Sequence, residues 1–227
     1  MEEEYELLAV VLKELQAKGV LEGLLIVGSW CQYYYRILFD NAPEIPLFRT
    51  VDVDFLVPNP SAFKTRVDVS ELLNQLGFDS DFDYHTGLVK YVHTDLEIQF
   101  LTPALGRAKD KPYEIKELNI NAEGLTHMTM LQEHKFSMTH KGIKVWLPEP
   151  EAYTLHKALI SSRRKDPAKK EKDLMTVRSI GELCLEYDTH RERLKSIYAH
   201  LPKKWQRTIS EVVRCISPEI FSFLTAG

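Results

Sequence analysis

Residues 49–57 read RTVDVDFLV, and from Val51 to Phe55 the stretch alternates apolar and acidic side chains. Such alternation is typical of a β-strand, in which successive side chains point to opposite faces of the sheet. Asp52 and Asp54 therefore project from the same face, where two neighbouring negative charges repel each other. A hard divalent cation removes that repulsion, because it prefers carboxylate oxygens as ligands. The alternative is a strand whose acidic face is simply exposed to water.

The stretch LLIVGSW at residues 24–30 predicts a short buried strand that ends at Gly28-Ser29 and leads into a helix over residues 30–38. Glycine lets the backbone approach a ligand closely. The serine hydroxyl and the first N–H groups of the helix form an anion site, and a phosphate bound there would lie near the two aspartates. The alternative is a tight turn in which the serine is an ordinary N-cap.

Glu97 is the third candidate carboxylate, and it lies within an apolar strand predicted over residues 96–101. A third acidic side chain on a strand next to the paired aspartates would complete a set of ligands for divalent cations. The alternative is a half-exposed strand, because Asp95, Glu97 and Gln99 alternate with apolar residues.

The composition is that of an ordinary globular protein, with 227 residues, 44% hydrophobic residues and a net charge of −4. Bulk charge therefore does not indicate nucleic-acid binding, and a polyanionic partner would need a local basic patch. The three cysteines form neither a disulfide framework nor a Cys-x-x-Cys metal site, which favours a reducing cytoplasm. The start MEEEYELL lacks the features of a signal peptide. We expect no membrane span, because apolar stretches stay well below the ~18 residues that one requires.

The pattern of apolar residues predicts an α+β protein with two parts. Predicted helices cover residues 4–18, 30–38 and 69–76, and predicted strands cover residues 24–27, 51–57, 88–93, 96–101 and 113–120, with a hairpin of 135–139 and 143–147. Later helices are predicted over residues 150–162, 168–186, 188–199 and 203–216. The change of pattern near LPEPE predicts an α/β domain over residues 1–149 and a helical domain over residues 150–227.

With these motifs in place, the sequence resembles the nucleotidyltransferase superfamily, which has the fold of DNA polymerase beta and of the kanamycin and lincosamide nucleotidyltransferases. The matching motifs are VGS at 27–29, VDVDF at 51–55 and LEI at 96–98. The resemblance implies a small mixed β-sheet flanked by helices (the nucleotidyltransferase fold), followed by a helical domain. It also implies that Asp52, Asp54 and Glu97 are catalytic and bind Mg²⁺ or Mn²⁺, and that Gly28 and Ser29 bind the nucleotide.

A second segment, EAYTLHKALISSRR…KKEKD at residues 151–173, is similar to bacterial nucleotidyltransferase-like proteins that include the AbiEii-type toxins. The resemblance implies a nucleotide-binding group in this part of the chain: Lys157, Arg163 or Arg164, Lys169, Lys172 and Asp173. Arg49 and Thr50 match the R-T-x-D-x-D form of the same branch. The alternative for the basic run RRKDPAKKEK at 163–172 is a solvated loop between helices.

The leading hypothesis is a cytoplasmic, metal-dependent enzyme that moves a nucleoside monophosphate from an NTP such as ATP to an acceptor hydroxyl. The acceptor is left open between a small molecule, an RNA and a protein. Two alternatives remain at this point: a non-catalytic nucleotide- or RNA-binding member of the fold, and a component of a toxin–antitoxin pair.

Overall fold

The computed structural model describes residues 2–48, 50–104 and 112–226. Its contacts divide the chain into two compact units, Met1–Tyr33 with Leu47–Pro148 and Tyr34–Pro46 with Glu149–Gly227. The first unit combines helices with strands, whereas the described part of the second unit is helical. The predicted α+β fold class is therefore confirmed. The division into domains at residue 149 stays a prediction.

The first unit contains the strands and most of the short helices. Its strands are β1 (Leu25–Val27), β2 (Asp52–Leu56), β3 (Asp79–Phe82), β4 (Val89–Val92), β5 (Glu97–Pro103), β6 (Tyr113–Ile115), β7 (Ile120–Leu125), β8 (Lys135–His140) and β9 (Ile143–Pro148). Its helices are α1 (Glu2–Ala17), α3 (Val69–Gln75) and α4 (Thr129–Glu133), and helix α2 (Trp30–Leu38) begins in this unit and continues into the second.

Within the described residues, seven strands form one mixed sheet in which β1, β2, β5, β4 and β3 are neighbours in that order. Strand β2 runs antiparallel to β1 and parallel to β5. Strand β7 runs parallel to β5 and also pairs with β6. Strands β8 and β9 form a separate hairpin around Lys141-Gly142, where both residues adopt positive φ as a tight two-residue turn requires.

The two faces of the sheet differ in character around β2. On one face Val53 and Phe55 are completely buried, as alternation predicts. The other face is apolar only at its far end, where Leu56 packs in a buried cluster with Leu25 and Leu101. The start of that same face carries the two aspartates. The apolar end anchors β2 in the core and leaves its acidic start close to the surface.

The described part of the second unit consists of α5 (Pro150–Ser161), α6 (Pro167–Glu186), α7 (Asp188–His200), α8 (Lys203–Ile216) and α9 (Pro218–Thr225). Helix α5 is buried on nearly all sides. Helix α6 begins at Pro167, because Asp166 accepts hydrogen bonds from the N–H groups of Ala168 and Lys169 as an N-cap. Among the described helices, none combines the length and apolar content that crossing a bilayer requires.

Several predicted elements need correction. The single strand predicted over residues 113–120 is wrong, because β6 and β7 are two strands joined by a turn in which Asn119 has a φ of 52°. Strand β3 and helices α4 and α9 were not predicted. Strand β3 escapes prediction since all four of its residues are exposed and it has no apolar face.

Candidate active site

The paired aspartates of β2 lie beside β5 in a register that fixes their neighbours. Asp52 is the direct partner of Glu97, and Asp54 is the direct partner of Gln99. Direct partners on adjacent strands point to the same face of a sheet. Asp52 is exposed, whereas Asp54 and Glu97 are partly buried. The structure therefore brings the three predicted carboxylates onto one face.

Gly28 lies against this face at the end of β1, where Val27 is the register partner of Asp54. The glycine has a φ of +73°, a conformation that other residues adopt only with strain. A Cβ atom at this position would overlap the Asp54 carboxylate oxygen Oδ2. Close approach of backbone and carboxylate thus requires glycine here. Ser29 follows directly and is partly exposed.

Lys90 on β4 is a member of the site that the sequence did not reveal. Its Nζ lies 2.5 Å from Oε1 of Glu97, and its side chain is 44% exposed. The hydrogen bond to Glu97 raises the pKa of Lys90; burial opposes this rise, and the charges of Glu97, Asp52 and Asp54 add to it. Lys90 is therefore held as an ammonium ion beside all three carboxylates.

Gln99 is the second residue that the sequence did not single out. Its side-chain amide donates a hydrogen bond to Oδ1 of Asp54. This contact follows from the register, because Gln99 is the strand partner of Asp54. We call Asp52, Asp54, Glu97, Gln99 and Lys90 the carboxylate face. The sequence shows that Lys90 lies within the predicted strand 88–93. Only the pairing between strands shows that it lies on the carboxylate face.

The donor chemistry of the carboxylate face fits a hard divalent ion, since its three candidate ligands all offer carboxylate oxygens. Within residues 2–48, 50–104 and 112–226, however, no three acidic, histidine or cysteine side chains converge as a ready metal site. Glu97 is bonded to Lys90 instead. A divalent ion that used all three carboxylates would compete with this ammonium group.

In the second unit, Lys157 and Arg164 share the carboxylate of Asp173. Nζ of Lys157 lies 2.7 Å from Oδ1, and Nε of Arg164 lies 2.8 Å from Oδ2. The Asp173 side chain is only 4% exposed and that of Lys157 11%. Lys157 also lies over the ring of Tyr153, 5.4 Å from its centroid. We call Lys157, Arg164 and Asp173 the Asp173 cluster; it carries two positive charges and one negative charge.

Among the other predicted nucleotide-binding residues, the structure describes Thr50, Arg163, Lys169 and Lys172, and Lys169 is exposed in the first turn of α6. Thr50 is buried just before β2, whereas Arg49 lies outside the described residues. Arg163 is exposed in the turn that follows α5, and Lys172 is partly buried on α6 next to Asp173. The structure thus brings Lys157, Arg164 and Asp173 together in one contact group.

The mixed sheet, the glycine at the end of β1 and the helical second unit agree with the fold of a nucleotidyltransferase. A family model described as "Nucleotidyltransferase" matches residues 6–200. The chain belongs to this nucleotidyltransferase family, because the match spans most of its length. The predicted superfamily is confirmed, and the relation to AbiEii-type proteins stays a prediction. No curated protein matches the sequence significantly.

The solved structures that resemble this chain include the following two. One is an antigenic nucleotidyltransferase-like protein from Paracoccidioides brasiliensis, with a TM-score of 0.52, 18% identity, and coverage of 97% of this chain and 93% of that one. Its likeness supports the nucleotidyltransferase fold. The other is the antibiotic-resistance factor ANT(2'')-Ia, with a TM-score of 0.44, 15% identity, and coverage of 86% of this chain and 92% of that one.

Proposed function

We propose that this chain is a Mg²⁺- or Mn²⁺-dependent enzyme that transfers a nucleoside monophosphate from an NTP to an acceptor hydroxyl. One observation carries the proposal: Asp54 lies directly against Gly28, while Asp52 and Glu97 are strand partners on the same face. Phosphate binding at the glycine and cation binding at the carboxylates would then occur side by side. Membership of the nucleotidyltransferase family supports this assignment.

Each residue of the carboxylate face has a role in this proposal. Asp52, Asp54 and Glu97 would hold the metal, which when bound would neutralise the triphosphate and polarise the reacting oxygens. Gly28 and Ser29 present backbone and hydroxyl donors to the β- and γ-phosphates. Thr50 and Arg49 precede the first aspartate and are proposed to contact the nucleotide, as the sequence resemblance implies.

The transfer step needs a base for the acceptor, and Glu97 is proposed for this role. The acceptor oxygen forms a bond to the α-phosphorus of the NTP. The bond from this phosphorus to the oxygen that bridges to the β-phosphate breaks, and pyrophosphate leaves. The proton of the acceptor hydroxyl passes to the Glu97 carboxylate, which balances the step.

The Asp173 cluster of the second unit supports a phosphate-binding role by its charge. One carboxylate cannot neutralise both cations, and Arg164 remains 36% exposed. A surplus positive charge on a partly exposed guanidinium attracts phosphate oxygens. We therefore retain Lys157, Arg163, Arg164, Lys172 and Asp173 as proposed nucleotide-binding residues.

Substitution of the aspartates tests the proposal. Asp52→Asn or Asp54→Asn keeps the side-chain shape but removes a metal-binding charge, so we expect transfer to fall at least about 1,000-fold. The measurement incubates each α-labelled NTP with Mg²⁺ or Mn²⁺ and a cell extract, and records labelled acceptor and released pyrophosphate. Far-UV circular dichroism should stay unchanged, because Asp52 is exposed and Asp54 only partly buried.

Asp81→Asn is the matched control for charge. Asp81 lies on exposed strand β3 and is the register partner of Lys90, so it shares the carboxylate face's side of the sheet without belonging to the proposed ligand set. Its substitution should leave transfer within about twofold. Undiminished transfer by the Asp52/Asp54 double variant would defeat the proposal. NTP binding without pyrophosphate release would favour the non-catalytic alternative.

A further inference from the structure

Lys90 is a cation on the carboxylate face, and its ammonium group contacts Glu97. Strand β4 is antiparallel to β5, with Tyr91 opposite Ile98 and Val92 opposite Glu97, so Lys90 is next to Gln99. From there its ammonium group reaches Glu97 at 2.5 Å. The pair is partly buried, with 44% of the lysine and 25% of the glutamate side chain exposed. A partly buried pair is screened less by salt than an exposed one.

We propose that Lys90 is a positioning residue that competes with the divalent cation for Glu97 and so lowers the metal affinity of the carboxylate face. This inference rests on the proposed function, because it takes Asp52, Asp54 and Glu97 as the metal ligands. Two positive charges cannot share one carboxylate oxygen at contact distance without strong repulsion. A metal that bound Oε1 of Glu97 would displace the ammonium group, and one that bound Oε2 would place a second positive charge on the same carboxylate, close to the first.

The competition has a consequence for the arrangement of the face. Three carboxylates without a cation would repel each other and spread apart. The Lys90–Glu97 pair would offset part of this repulsion and keep Glu97 in place on β5 before a metal ion binds. Lys90 would set the metal concentration at which the carboxylate face binds its divalent ion. Until the ion binds, Lys90 would hold the Glu97 carboxylate toward β4.

Titration of MnCl₂ alone into the full chain tests this inference, with the dissociation constant measured by calorimetry and by the electron paramagnetic resonance of free Mn²⁺. Lys90→Met removes the competing charge, so we expect it to bind Mn²⁺ about three- to tenfold more tightly. Lys90→Arg keeps a cation beside Glu97 and should bind within about twofold of the wild type. Lys90→Gln is a second neutral variant, should the methionine variant fail to fold.

Lys116→Met is the control for net charge. Lys116 is exposed in the turn between β6 and β7, and its substitution removes the same charge from the same unit. It should leave the Mn²⁺ affinity unchanged. Unchanged or weaker binding by both neutral Lys90 variants would overturn the inference.

The wild type separates this failure from failure of the proposed function. If the wild type binds Mn²⁺ and transfers nucleotide while neutral Lys90 variants bind no better, only the inference fails. If neither the wild type nor these variants bind Mn²⁺, both fail. If the wild type does not bind detectably but the neutral variants do, Lys90 excludes the metal as proposed.

Discussion

In the first unit the ammonium group of Lys90 contacts Glu97 on a face that carries three carboxylates, whereas in the second unit two cations share the carboxylate of Asp173. The two groups also differ in exposure. Asp52 on the carboxylate face is exposed, but Asp173 is nearly inaccessible to water. Carboxylates and cations therefore form both groups, but negative charge is in excess on the open carboxylate face and positive charge is in excess around the buried Asp173.

This difference separates an open face that needs a partner for its charge balance from a buried carboxylate, Asp173, that is paired within the protein. Water and a divalent ion can complete the charge balance of an open face at little cost to the fold. A buried carboxylate must instead be paired within the protein, since an unpaired buried charge is costly. We therefore expect substitutions on the carboxylate face to change activity and substitutions in the Asp173 cluster to change stability.

Asp173→Asn should produce the largest loss of stability. The variant leaves the buried ammonium of Lys157 without its counter-ion, so the free energy of unfolding should fall by roughly 3–5 kcal/mol. Urea denaturation followed by circular dichroism measures this. The matched control is Glu182→Gln on the same helix, which breaks the exposed pair with Arg178 and should cost less than about 0.5 kcal/mol. Equal losses of unfolding free energy in the two variants would contradict the proposed difference between the buried and the exposed ion pair.

Local patterns were sufficient to predict much of the architecture. The helix at Trp30–Leu38, the two hairpin strands β8 and β9 and the first four helices of the second unit follow from periodicity and turn residues. The alternation of β2 also predicted that Asp52 and Asp54 share a face. In each case the signal lies within a short window of the chain.

The remaining site contacts depend on pairing between distant segments. Lys90 meets Glu97 only because β4 and β5 are antiparallel in one particular register, and Gln99 meets Asp54 across 45 residues of sequence. Asp173 was expected near the nucleotide, and its bond to Lys157 joins two helices. No local pattern encodes register or helix packing, so the sequence offered candidate residues without their partners.

Gly28→Ala should have an intermediate effect and tests whether Asp54 depends on the glycine. The new methyl group would overlap Oδ2 of Asp54 at a backbone φ of +73°, so we expect a loss of about 2–3 kcal/mol in stability and weaker transfer. Gly142→Ala is the matched control, because Gly142 has a φ of +78° but open space around it. That control should lose only about 1 kcal/mol and keep its activity. Identical behaviour of both alanine variants would mean that Asp54 is not held against Gly28.

His140 extends the comparison to a group that folds without its charge, and it should give the smallest effect. Burial lowers the pKa of His140 below its ordinary value of 6.5, and the nearby charge of Lys141 lowers it further. Its Nε2 lies 3.2 Å from the hydroxyl of Tyr33. Between the lowered pKa and 6.5 the unfolded chain binds more protons than the folded chain, so stability rises with pH in this window.

The contribution of His140 to the free energy of unfolding should therefore be fully present above pH 6.5. It should decline as the pH falls through the lowered pKa of His140. Thermal unfolding measured at a series of pH values detects this decline. His140→Gln removes the titrating group and should reduce the slope of stability against pH. Lys141→Met should reduce this slope partially, because it removes one cause of the lowered pKa of His140. A His140→Gln variant with the wild-type slope would assign the pH dependence to other groups. In that case His140 would add nothing to the comparison between the carboxylate face and the Asp173 cluster.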